Sequence, residues 1–118
     1  ELLARIRSLL RRGKINPDTI FKIDNLVLSP ESKLVTRADK QINRSAKEYA
    51  LLEYMMRNAR KILTKQQIID HVWDIDTDPF SNVIDVYIGY LRNKIDRAFP
   101  ADLPLIKTIK GMGYKISL

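Results

Sequence analysis

Asn82, Val83, Val86, Tyr87, Tyr90 and Lys94 crowd into one short stretch, and the last five recur at spacings that a helix gathers onto one face. An amide that donates and accepts, apolar methyls, phenols and an ammonium make a mixed surface. Such a surface suits the major groove of a nucleic acid duplex. Asparagine can bond base edges, valine can touch thymine methyls, and tyrosine and lysine can reach bases or phosphates. The same tyrosines also serve amphipathic helices that wrap a core, so this face alone does not decide. A second cationic group lies nearby in sequence. Lys107, Lys110 and Lys115 surround Gly111-Met112-Gly113, a glycine turn that leaves the backbone exposed. A cation at a narrow hairpin tip can enter a minor groove, where negative potential concentrates. A plain solvated turn has the same composition. A helix face and an adjacent hairpin, both positive, argue more strongly together than either does alone.

These residues need a scaffold, and the sequence supplies one. Ile84, Ile88, Leu91, Ile95 and Phe99 form a core stripe along a helix expected from about Ser81 to Phe99, closed by Pro100 and Pro104. Gly89 interrupts that helix at a cost of about 1 kcal/mol relative to alanine. Ahead of it, Thr64 is a good N-cap for a helix carrying Ile68, Ile69, Val72 and Trp73, reached through an extended Ile62-Leu63 link. Ser45 and Glu48 have capping-box spacing and open an earlier helix with an apolar stripe at Tyr49, Leu52, Met56 and Ala59. Leu105 to Ile109 and Tyr114 to Leu118 read as the strands of the hairpin, with glycines where positive φ is needed.

Toward the front, residues from Thr19 to Leu28 alternate in one strand-like run ended by Ser29-Pro30. Lys33–Thr36 and Lys40–Asn43 are further short strands, with a turn at Ala38-Asp39. The expected class is α+β: an antiparallel sheet, three helices and a hairpin over residues 19–118. Leu2, Leu3, Ile6, Leu9 and Leu10 form an amphipathic helix within 1–13, ended by Gly13, and 14–18 reads as linker around Asn16-Pro17.

Composition narrows the classes. At 118 residues, 45% of them hydrophobic and 30% charged, the chain suits one ordinary globular domain. The net charge of +7 is uneven: residues 1–14 carry +4 of it, leaving +3 for the rest. Residues 70–85 hold Asp70, Asp74, Asp76, Asp78 and Asp85 with no lysine or arginine, and residues 86–118 swing back to a basic balance. A localised basic surface points to a polyanion. No apolar run spans a membrane, and the N-terminal residues lack the pattern of a signal peptide. The absence of cysteine excludes disulfides and thiolate metal sites and fits a reducing cytoplasm.

Catalysis finds little footing. His71 is the single histidine, with no cysteine or second histidine to complete a metal site, so neither catalytic nor metal-binding residues are assigned and no cofactor is expected. Gly111-Met112-Gly113 does not lead from a buried strand into a helix and is no phosphate loop. Asp74, Asp76, Asp78 and Asp85 mimic calcium-loop spacing, but Pro79 stands where that loop needs glycine, and aspartate replaces the final bidentate glutamate. A protein-interaction module built from the same elements is the alternative, distinguished by a weak response to salt.

The stretches Ser45–Leu52, Ile62–Trp73, Ser81–Ile88 with Leu91–Ile95, and Ile106–Tyr114 together resemble, in order, the effector domain of the OmpR/PhoB response regulators. The resemblance implies a winged helix-turn-helix, with the third helix in the major groove and the hairpin as a wing at the minor groove. Carried over by position, Asn82, Val83, Val86, Tyr87 and Tyr90 face bases or their flanking backbone. By the same transfer Arg92, Lys94, Thr64 and Trp73 meet phosphate, and Thr108 and Lys110 place the wing. Gly89 and Tyr90 stand where many members have arginine, and Tyr87 where many have histidine, so the base preference is this chain's own. Residues 1–13 are then expected to be the end of a receiver helix. The partners implied are double-stranded DNA with repeated half-sites and a sensor histidine kinase acting on the receiver. RNA polymerase would meet the acidic loop of Asp74, Asp76 and Asp78. The isolated domain is expected to be monomeric and the whole protein dimeric on DNA.

Overall fold

The computed structural model describes residues 20–73, 77 and 82–118. The expected receiver helix, the linker at 14–18 and Asp74, Asp76 and Asp78 lie outside them. The chain divides into two compact units between Asn43 and Arg44.

The first unit carries a four-stranded antiparallel sheet in the order β1 (Phe21–Ile23), β2 (Leu26–Ser29), β3 (Leu34–Arg37) and β4 (Lys40–Gln41). The run from Thr19 to Leu28 is thus two strands, not one. Asp24 takes a left-handed φ of 53°, and Ile23 pairs with Leu26 across an Asp24-Asn25 turn. Short polar side chains tolerate that conformation, so alternation continues through a reversal that period alone does not reveal. The expected turn at Ala38-Asp39 is present, with φ positive at both residues, as tight two-residue hairpins require. Arg37 is wholly buried and ties the two turns: its Nε donates to Asn25 Oδ1 at 2.9 Å, and its Nη2 lies 4.0 Å from Asp24 Oδ2.

The second unit contains α1 (Ala46–Arg57), α2 (Lys65–Val72), α3 (Val83–Leu91) and a hairpin of β5 (Ile106–Ile109) and β6 (Gly113–Ile116). Both expected N-caps form complete capping boxes, Ser45 with Glu48 and Thr64 with Gln67. Trp73 caps the C-terminus of α2 and does not belong to its last turn. The apolar stripes converge: Leu51, Leu52 and Met55 of α1, Ile68 and Ile69 of α2, and Ile84, Ile88 and Leu91 of α3 are essentially fully buried. Each such side chain stabilises the fold by roughly 1.5–3 kcal/mol relative to leaving it in water.

The third helix does not run on as a regular α-helix to Phe99. From Arg92 to Arg97 it widens into a π-helix, whose end is marked by Ala98 N–H donating to Asn93 O at 3.2 Å. Across those wide turns Ile95 stays buried while Arg92 and Asp96 both reach the start of β5. Such π-turns are rare within helices and often fall at functional sites.

Candidate nucleic-acid interface

Three elements meet at Asp85. Its Oδ2 lies 3.0 Å from Lys65 Nζ in the first turn of α2, and its Oδ1 accepts a short hydrogen bond from the Tyr114 hydroxyl on β6. The tyrosine bond holds the Asp85 carboxyl below its ordinary value against the opposing effect of burial, and Lys65 adds to it. Burial, reinforced by Asp85, pushes the Tyr114 phenol up to about 12. One carboxylate on α3 therefore anchors the hairpin and the entrance of α2 together.

The hairpin is held again through its backbone. Leu63 N–H donates to Tyr114 O at 2.8 Å, and Tyr114 N–H returns a bond to Leu63 O at 2.9 Å, so the link before α2 pairs with β6. That approach requires glycine at 113: a Cβ there would sit 2.0 Å from Leu63 O, with φ at +151°. Beyond it Lys110, Gly111 and Met112 form the exposed tip.

Arg92 completes the brace. Its guanidinium donates to Thr108 Oγ1, its Nε donates to Ile106 O at 3.4 Å, and it lies 5.8 Å from the centre of the Tyr114 ring. Asp96 accepts from the N–H groups of Leu105 and Ile106 at 3.0 and 3.1 Å, fixing where β5 begins.

The opposite flank of α3 is tied to α1. Lys94 Nζ lies 2.8 Å from Glu48 Oε1, the same carboxylate that accepts from Ser45 N–H at 2.7 Å. Burial raises the Glu48 carboxyl, but Lys94 and Ser45 together outweigh it and leave it below its ordinary value. Tyr87 meets Trp73 edge to face at 5.2 Å, and Tyr90 meets Tyr87 likewise at 5.4 Å. Lys47 Nζ lies 5.3 Å from the Trp73 ring and donates to Val72 O at 2.9 Å. Aromatic edge contacts of this kind fix ring orientation as well as burying area.

Between the two flanks lies an outer surface. Asn82 is exposed and its amide does not cap the helix, while Val86 is 37% and Tyr90 48% exposed. Val83, Tyr87 and Trp73 are half-buried, and Thr64, Thr108 and Lys110 are exposed. Arg92 and Lys94 are half-buried and engaged within the chain. Sequence reasoning missed the bracing roles of Asp85, Asp96, Glu48 and Tyr114. Glu48 was visible only as a capping residue, and nothing local marks partners that lie 29 or 46 residues apart.

A helix pair whose second member is clamped to a β-hairpin, behind an antiparallel sheet in sequence, is a winged helix-turn-helix. The family model described as "Transcriptional regulatory protein, C terminal" matches residues 39–116. The chain is 41% identical over 116 residues to the transcriptional regulatory protein TcrA of Mycobacterium tuberculosis, covering 98% of this chain and 45% of that protein. Among solved structures it is similar to the response regulator DrrB of Thermotoga maritima, an OmpR/PhoB homologue, with a TM-score of 0.73 and 28% identity over 99% of this chain and 51% of that one. It is also similar to the DNA-binding domain of CpxR from E. coli, with a TM-score of 0.71 and 25% identity over 83% of this chain and 95% of that one. The chain belongs to the family of transcriptional regulatory protein C-terminal domains, of the OmpR/PhoB effector type. It spans about half the length of the curated relatives it matches.

Proposed function

We propose that this chain binds duplex DNA in a sequence-dependent way as the transcriptional output domain of a response regulator, with α3 in the major groove and the β5–β6 wing at the minor groove. The supporting observation is the double brace of Asp85 and Arg92, which ties the reading helix to the wing so that both meet one ligand in fixed register. Asn82, Val83, Val86, Tyr87 and Tyr90 are assigned to base edges and the adjoining backbone. Thr64, Trp73, Arg92 and Lys94 border phosphates, and Thr108 and Lys110 seat the wing. Arg92 and Lys94 act in part by position, since each already holds an internal partner. No catalytic step is assigned to the chain.

In the whole protein, phosphorylation of a receiver by a sensor kinase brings two copies onto repeated half-sites about one helical turn apart. The isolated domain is monomeric, and the segment of Asp74, Asp76 and Asp78 offers an acidic surface to RNA polymerase. The setting is the bacterial cytoplasm. Among the described residues no helix is long and apolar enough to cross a membrane.

The test is selection of binding sites from a random duplex library, followed by affinity measurements over a range of salt. A recovered consensus, with log affinity falling by roughly 0.9 per log salt for each phosphate neutralised, is expected. Binding indifferent to salt, or no enrichment of any sequence, contradicts the reading and favours a protein partner.

A further inference from the structure

Gly89 lies in the middle of α3, yet nothing among the described residues requires a glycine there. Its φ is not left-handed, and a Cβ built on it would meet no heavy atom within 4 Å. Every other residue type except proline would favour the helix more. The described residues therefore supply no reason for glycine, which leaves something that comes close to the helix backbone from beyond them.

The surroundings narrow what that something is. Val86, three residues earlier, is 37% exposed, and Asn93, four residues later, is also exposed, positions that helix spacing puts on the same side as Gly89. Arginine can only donate, and Arg97 Nη1 lies 2.5 Å from Asn93 Oδ1, so that oxygen already accepts one bond and the amide keeps both N–H donors. No lysine or arginine stands on α3 between Val83 and Leu91. Open space at Gly89, with exposed valine methyls and an amide donor at helix spacing from it, suits the base that carries a methyl group in the major groove. Thymine offers a 5-methyl group next to the O4 acceptor, whereas guanine offers two acceptors suited to arginine.

We infer that the gap at Gly89 is a thymine-reading notch, the methyl entering against Val86 while O4 faces Asn93. The inference rests on the duplex-binding reading above and adds a base identity to it. It also accounts for a helix that accepts a local loss of stability on its outer face.

The experiment uses the purified chain and the duplex recovered by selection, with each thymine replaced in turn by deoxyuridine, which removes only the methyl. One replacement is expected to weaken binding by about fourfold. Gly89→Ala is expected to bind the thymine and uridine duplexes equally at that position. The same variant is expected to melt higher than the parent by roughly 4–8 °C, so a folding defect is not the cause. If no thymine matters to the parent chain, or Gly89→Ala still distinguishes thymine from uridine, the notch is overturned while duplex binding stands. If the parent chain binds no duplex at all, both readings fall together.

Discussion

Lys94 Nζ and Glu48 Oε1 lie 2.8 Å apart although 46 residues separate them, and this pair fixes the π-helical continuation of α3 to α1. Glu48 is 4% exposed and serves twice, as the return arm of the α1 capping box and as the partner of Lys94. A carboxyl whose folded pKa is lowered stabilises the folded state above its unfolded value, about 4.3, and the contribution vanishes as pH falls through the folded value. Glu48→Gln should therefore cost about 1–3 kcal/mol at pH 7 and progressively less in acid. Thermal melts of both proteins from pH 7 down to pH 3 check this. A constant difference across that range would exclude the ion pair as the cause.

Tyr114→Phe removes one hydroxyl and leaves Asp85 with Lys65 alone. The expected loss is about 1–2 kcal/mol, together with weaker duplex binding because the wing is less firmly set against α3. At the alkaline end the sign reverses. The phenol is pushed up to about 12, so its contribution is complete below its ordinary value of about 10 and disappears as pH rises through the folded value. The parent chain should lose stability over that interval faster than the phenylalanine variant in denaturant titrations.

The two wing glycines should respond differently. At Gly113 any Cβ collides with Leu63 O, and Gly113→Ala should cost about 2–4 kcal/mol by breaking the link before α2 away from β6. Gly111 has φ +77° but open space around it. Gly111→Asn should therefore fold with a loss of about 1 kcal/mol or less, because asparagine tolerates the left-handed region. Chemical denaturation of the two variants separates collision from backbone preference.

Lys110 and Tyr90 should divide affinity from specificity. Lys110→Ala is expected to weaken all duplexes alike and reduce the salt slope by about 0.9. Tyr90→Ala should alter the selected sequence. Equal weakening across all sequences by Tyr90→Ala would remove that residue from base readout.

Much of the scaffold was legible because it obeys local rules. Ser45 with Glu48 and Thr64 with Gln67 announce helix starts through spacing alone, and the stripe of Ile84, Ile88, Leu91 and Ile95 has one physical meaning. The Asp24-Asn25 reversal was hidden because both residues fit an alternating pattern until backbone handedness is known. The π-helix from Arg92 was hidden for another reason. It depends on β5, which Arg92 and Asp96 reach only after the chain has turned back. Asn82, Val83, Val86, Tyr87 and Tyr90 were singled out by type on one helix face and Thr64, Trp73, Arg92, Thr108 and Lys110 by resemblance to the family, but that Arg92 and Lys94 have internal partners emerges only from the fold.

Dimethyl sulfate footprinting shows whether α3 and the wing engage one duplex together. The reagent methylates guanine N7 in the major groove and adenine N3 in the minor groove. The parent chain on its selected duplex should protect both, within the same half-turn of helix, and Lys110→Ala should lose the minor-groove protection first. Protection confined to one groove, or none at concentrations that saturate binding, would mean that α3 and the wing do not grip one duplex together.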